Sequence, residues 1–203
     1  MKRWILLLLS ACCMIVTVGC GHLENYLEIA REKGMSGEYL AALNRWTRST
    51  VIYSQFETQA HLYATYQSPE FSRAYLDEYS RIYQLEEKEQ QKKGDAQKGL
   101  TAGFTDFIFY ASIPEKASND FDRRGSSWNL LLVNGKGERI APWEVRRIDP
   151  MTPVLTKFYP YVNPYHGIAY RLRFKTREKP GGEPLRLMIT GVLGTAELKF
   201  DKR

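Results

Sequence analysis

The sequence predicts an α+β protein: an antiparallel β-sandwich of immunoglobulin-like size, preceded by a short helical region. Three observations carry this reading. Apolar residues before about residue 98 recur at helical spacing, with capping residues in place. After Gly99 the spacing changes to every second residue, as a sheet with one face buried requires. Turn signals such as Asn134-Gly135 separate the alternating runs.

The elements follow in order. Leu23, Tyr26, Leu27 and Ala30 share one helical face, and Gly34 is placed to end it. Ser36 can cap a second helix carrying Leu40, Leu43 and Trp46 on one side. Residues 51–66 fit either period: Ile52, Phe56, Ala60 and Tyr63 suit a helix, while Ala60, Leu62, Ala64 and Tyr66 alternate. The aromatic-rich Leu62–Tyr66 run before Ser68-Pro69 favours a strand there. Ser68 as N-cap and Pro69 at the first helical position open a helix with Phe71, Tyr75, Tyr79, Ile82 and Tyr83 on one face. Glu86–Lys93 reads as its solvated continuation, ended by Gly94, and Lys92–Gly99 as a linker.

Strands then follow at Phe107–Ile113, Trp128–Leu132, Trp143–Val145 after the Asn-Gly turn, Ile168–Phe174, Leu185–Ile189 and Ala196–Phe200. Pro142 suggests that the return strand lies at an edge, because proline cannot donate to a ladder. No Cys–Trp–Cys pattern supports a true antibody-type domain. The expected division is 1–19, 20–98 and 99–203. Charge is uneven: residues 21–95 hold nine Lys/Arg against twelve Asp/Glu, and residues 96–203 eighteen against eleven.

All three cysteines, Cys12, Cys13 and Cys20, lie in the first twenty residues. Lys2 and Arg3 precede an uncharged run, Trp4–Val18, that is too short to span a bilayer comfortably, since a spanning helix needs about 20 apolar residues. This is the layout of an export signal. Val18-Gly19-Cys20 resembles the box that ends the signal peptides of bacterial lipoproteins. The resemblance implies diacylglycerol attached to the Cys20 thiol, cleavage before Cys20, and loss of Cys12 and Cys13 with the signal. Leu9-Ser10-Ala11-Cys12 fits the box by residue type, but would leave a signal of only eleven residues. Length therefore favours Cys20, with Cys12 as the rival. Gly21, where the enterobacterial class carries aspartate for inner-membrane retention, points to the outer membrane. A mature chain without thiols excludes a disulfide framework, a cysteine metal site and a thiol nucleophile.

Three candidate sites emerge. Arg171, Arg173 and Lys175, with Arg177 beyond them, alternate with Tyr170, Leu172 and Phe174, and form a basic row suited to phosphates or an acidic partner. The bland reading is a solvated outer face. Tyr159, Tyr161, Tyr165 and His166 crowd a proline-stiffened loop suited to sugar stacking or protein contact, unless its rings fold over the end of the sandwich. Catalytic signals are thin. The chain has His22, His61 and His166, and no HExxH, GxSxG, P-loop or dinucleotide fingerprint. His166 with Asp149 is the one conceivable base and orienting carboxylate. Asn119-Asp120-Phe121-Asp122 lacks the glycine and glutamate of an EF-hand loop.

The expectation is a non-enzymatic, lipid-anchored protein of the bacterial cell envelope with a binding or assembly role. It needs no cofactor or metal, its partners are the membrane and an envelope protein, and nucleic acid is not among them despite a net charge of +6. The alternative is a lipid- or glycan-binding accessory module of an envelope transport system.

Overall fold

The computed structural model describes residues 24–54, 57–176 and 184–201. Cys20, the apolar run before it and Arg177 lie outside the described residues.

Helices α1 (Glu24–Glu32) and α2 (Gly37–Trp46) come first. Ser36 caps α2 as its position predicts: its Oγ accepts the Tyr39 N–H at 3.3 Å. Strands β1 (Thr47–Ser54) and β2 (Glu57–Tyr66) then form an antiparallel hairpin. The ambiguous stretch is therefore extended on both sides of its turn. Thr50, Val51 and Ile52 are β-branched, and their stiff side chains pack better on a pleated surface than along a helix.

Helix α3 (Pro69–Tyr83) starts at the Ser68 cap, whose Oγ accepts the Phe71 N–H at 3.0 Å. It does not continue into Glu86–Lys93. Gln84 turns left-handed at φ +51°, the Leu85 N–H bonds the Ser80 carbonyl, and a new helix α4 (Glu87–Thr101) begins. The expected linker over Lys92–Gly99 is thus helical. Lys, Gln, Glu and Ala are strong helix formers, and a helix with no buried residue has the composition of a solvated linker. Gly94 lies mid-helix because a Cβ there would sit 3.1 Å from Leu76 Cδ2, so glycine lets α4 cross α3 closely.

The remaining elements are β3 (Phe104–Ser112), a 3₁₀ turn (Lys116–Ser118), β4 (Trp128–Val133), β5 (Arg139–Ile140), β6 (Glu144–Arg147), α5 (Pro153–Phe158), β7 (Ile168–Lys175), β8 (Leu185–Gly191) and β9 (Gly194–Phe200). Sheet A has the order β1-β2-β3-β7-β6 and sheet B the order β5-β4-β8-β9, and all pairs are antiparallel. The return strand after Asn134-Gly135 is two short strands. β5 pairs with β4, then the chain crosses at Ala141-Pro142 to the other sheet, where β6 forms an edge.

The sheets pack face to face. Leu62, Phe107, Phe109, Leu172 and Phe174 of sheet A and Leu132, Leu187, Leu198 and Phe200 of sheet B are buried, and the Phe107 and Phe200 rings meet at 5.2 Å. Each such side chain contributes roughly 1.5–3 kcal/mol. The sheets also join at one side, where Arg48 Nε of β1 donates to the Lys199 carbonyl of β9 at 2.7 Å. The second face of sheet A is covered by α1 and the segment after α5, with α2 and α3 packed behind that segment. One cluster of buried side chains runs from Tyr26 to Phe200 and crosses the expected boundary at residue 98.

Gly194 marks the join of the sheets. Its φ is +138°, and a Cβ there would lie 2.6 Å from Ile52 Cγ2. Gly194→Ala is expected to destabilise the protein by about 1–3 kcal/mol, read as a lower midpoint in chemical unfolding. Pairing it with Ile52→Ala should cost less than the sum of the two single changes.

Candidate functional site: a cleft between two helices

The structure divides the sequence-predicted residues among separate places. Arg171 and Arg173 do not form an open basic row. Both reach Asp106, which is buried on the neighbouring strand: Arg171 Nη2 bonds Oδ2 at 2.9 Å, Arg173 Nε bonds Oδ1 at 2.8 Å, and Arg173 Nη2 bonds Oδ2 at 2.9 Å. Arg173 Nη2 also donates to the Leu100 carbonyl, and its guanidinium lies over the Phe104 ring at 4.7 Å. Arg173 thus pins the end of α4 to β3. Lys175 is exposed, with its ammonium 5.4 Å from the Trp143 ring centroid.

The aromatic loop splits in two. Tyr159 and Tyr161 are buried against sheet A. The Tyr161 ring stacks on Tyr63 at 5.0 Å, its hydroxyl shares a 2.6 Å hydrogen bond with Thr65 Oγ1, and Tyr159 donates to Gln67 Oε1. Burial pushes both phenols well above their ordinary pKa. Tyr165 and His166 are exposed at the turn before β7. The hydrogen bonds of His166 run through its backbone, from its N–H to Asn163 O and from Ser112 Oγ to its carbonyl. Lys175 lies nine steps along mostly extended chain from His166, a span of about 30 Å. Asp120 holds a turn, accepting from Ser126 Oγ, Ser127 Oγ and the Ser127 N–H.

Sequence reasoning missed a cleft of about 620 Å³ between α3 and α4. Pro69, Ser72, Arg73 and Leu76 line it from α3. Gln90, Gln91, Asp95, Gln97, Lys98 and Thr101 line it from α4, and Tyr66, Gln67 and Phe104 form the sheet end. Helix α4 stands over this space on few attachments. Gln90 bonds Asp77 at 2.8 Å, Lys93 lies over Tyr79, and Gly94 abuts Leu76. At its end, Leu100 accepts from Arg173 and Gly103 accepts the Thr176 N–H.

Several lining groups are already used. Lys98 pairs with Asp95 at 3.0 Å, and Gln67 bonds Thr65 and Tyr159. The side chains of Arg73, Glu87, Gln91 and Gln97 make no hydrogen bond or ion pair with another described residue. Gln97 is half-buried in that condition. The arrangement therefore offers two free amides, a guanidinium and a carboxylate along the cleft, with the Phe104 ring at its sheet end. No histidine or cysteine lines it. The nearest sequence signal was the run of glutamines from Gln84 to Gln97, on a segment whose polarity reads as a linker.

Comparison with protein-family models, with curated proteins and with solved structures returns no match. Among the described residues, no helix is long and apolar enough to cross a membrane.

The Asp106 cluster yields a prediction. Burial alone would raise the Asp106 pKa, but the bonds from Arg173 and Arg171 outweigh it and hold the carboxyl below its usual range. Its stabilisation is therefore complete above the ordinary aspartate pKa of about 3.9 and lost as pH falls through the depressed folded value. Asp106→Asn is expected to cost about 3–5 kcal/mol at neutral pH, because two partly buried guanidinium groups lose their counter-charge. Urea unfolding from pH 7 to pH 2 should show a flatter acid slope in the variant than in the parent.

Proposed function

We propose that the chain is a lipid-anchored, non-enzymatic binding protein of the bacterial cell envelope, held by acylation of Cys20 and facing a partner there. The observation that carries this reading is the basic head, short apolar run and Val18-Gly19-Cys20 box, followed closely by a folded body. The first described helix begins at Glu24, four residues after Cys20. At no more than about 3.6 Å per residue, that tether reaches about 14 Å. Acylation would thus hold the body against the headgroups. Two or three fatty chains make such attachment effectively permanent, and confinement raises the effective concentration of the body at its partner. Gly21 in place of aspartate supports the outer membrane as the address.

The α3–α4 cleft supports a binding role rather than a purely structural one, because it presents polar side chains without protein partners. It favours the glycan arm of the accessory-module reading over the lipid arm, since acyl chains would strand those amides away from water.

The anchor is tested in growing cells with a clickable palmitate analogue. Cys20→Ser is expected to lose the label and leave the membrane pellet, while Cys12→Ser retains both. Unchanged labelling and sedimentation of Cys20→Ser overturns the reading. Matching thermal melts of the Cys20→Ser protein and the parent separate loss of the anchor from loss of the fold.

A further inference from the structure

We propose that the cleft between α3 and α4 binds a neutral, polyhydroxylated saccharide. This deepens the binding role above and rests on the cleft rather than on the anchor. The space of about 620 Å³ lies within the range of ligand sites. Its charges cancel: Arg73 and Lys98 face Glu87 and Asp95, and Lys98 is already tied to Asp95. A phosphate or sulfate would find one free cation, Arg73, offset by one free carboxylate, Glu87. An acyl chain would bury glutamines without partners.

The unpaired groups suit hydroxyls. A sugar hydroxyl both donates and accepts, and so does the amide of Gln91 or Gln97. Arg73 presents parallel donors and Glu87 parallel acceptors, each able to grip two adjacent hydroxyls at once. Phe104 supplies the apolar element. One side of its ring carries the Arg173 guanidinium at 4.7 Å, and the ring is half-buried at the end of the cleft. Leu76 and Pro69 extend that surface along α3. A pyranose has the same division, with C–H groups on its faces and hydroxyls on its rim. An extended peptide is the weaker fit, because such peptides dock through strand edges or deep apolar side-chain pockets.

The test uses the full-length chain purified in detergent and isothermal titration with four probes. These are chitohexaose and maltohexaose as neutral sugars, dextran sulfate as an anion, and a neutral ten-residue Gly/Ser/Gln peptide. Saturable one-to-one binding of a neutral hexasaccharide is expected. Gln91→Ala and Gln97→Ala should each weaken it about tenfold, the effect of about 1.4 kcal/mol. Both side chains lack protein partners, so the variants should melt with the parent. Phe104→Ala should abolish binding, and Phe104→Tyr should restore it. No binding of either neutral sugar overturns the proposal, as does binding of dextran sulfate or the peptide alone. Sugar binding indifferent to both glutamine changes also overturns it. Palmitate labelling of the same preparation reports the anchor independently, so failure of one reading is distinguishable from failure of the other.

Discussion

Sheet A is covered on both faces, and the cover on its helical side is a seam of tyrosines. The segment from α5 to β7 crosses that face without regular structure, so its carbonyls leave water with no ladder to join. Tyrosine solves this by burying a ring and bringing a donor with it. Tyr39 donates to the Phe158 carbonyl and Tyr110 to the Asn163 carbonyl. Across the sheet, Tyr170 does the same for the Asn119 carbonyl. Phenylalanine at Tyr39 or Tyr170 would fill similar space and take the side-chain donor from the Phe158 or Asn119 carbonyl, while the Asn163 carbonyl also accepts the His166 and Gly167 N–H groups. The seam is also electrically quiet. Burial pushes Tyr26 and Tyr75 up to about 12 and Tyr39 well above the ordinary phenol value, so none ionises near neutral pH.

The same seam explains why α3 and α4 behave so differently. Phe71, Tyr75 and Tyr79 dock α3 onto Phe158 and Tyr159. Helix α4 meets the seam through Lys93 over the rim ring of Tyr79, and none of its side chains is buried. It is held by its end contacts, by the Gln90–Asp77 hydrogen bond and by the close crossing at Gly94. The gap left between a docked helix and an undocked one is the cleft. Its sheet end is firm, because Phe104 belongs to β3 and lies under Arg173, which is itself fixed by Asp106.

The two-residue period of β3, β4, β7, β8 and β9 was legible because alternate apolar side chains meet the opposing sheet, and the caps at Ser36 and Ser68 were legible as local chemistry. The role of Arg171 and Arg173 was not. Alternation of apolar and basic residues describes an open sheet and a doubly covered one equally well. Only the register, with Arg173 opposite Asp106, separates them. Asp106 itself was the available clue, a lone acid inside the apolar run Phe104–Tyr110. Tyr159 and Tyr161 could not be told from Tyr165 by composition, since their burial depends on Tyr63 and Thr65, about a hundred residues earlier. Helix α4 was hidden by its own polarity, and the cleft with it.

A helix free of buried side chains gains little from packing, so its local stability lies well below that of the core. That places a compliant wall of glutamines and charges opposite a rigid aromatic end. The division suits recognition of a flexible polar chain. In the proposed complex, the apolar face of the ligand would find its position ready-made, which lowers the ordering cost of binding. The amides on α4 would then meet hydroxyl patterns by small movements of one helix. The Arg173–Leu100 hydrogen bond holds α4 at the end nearest Phe104, and the Gln90–Asp77 hydrogen bond holds it beside Gln91, so any such movement is confined between two tied points.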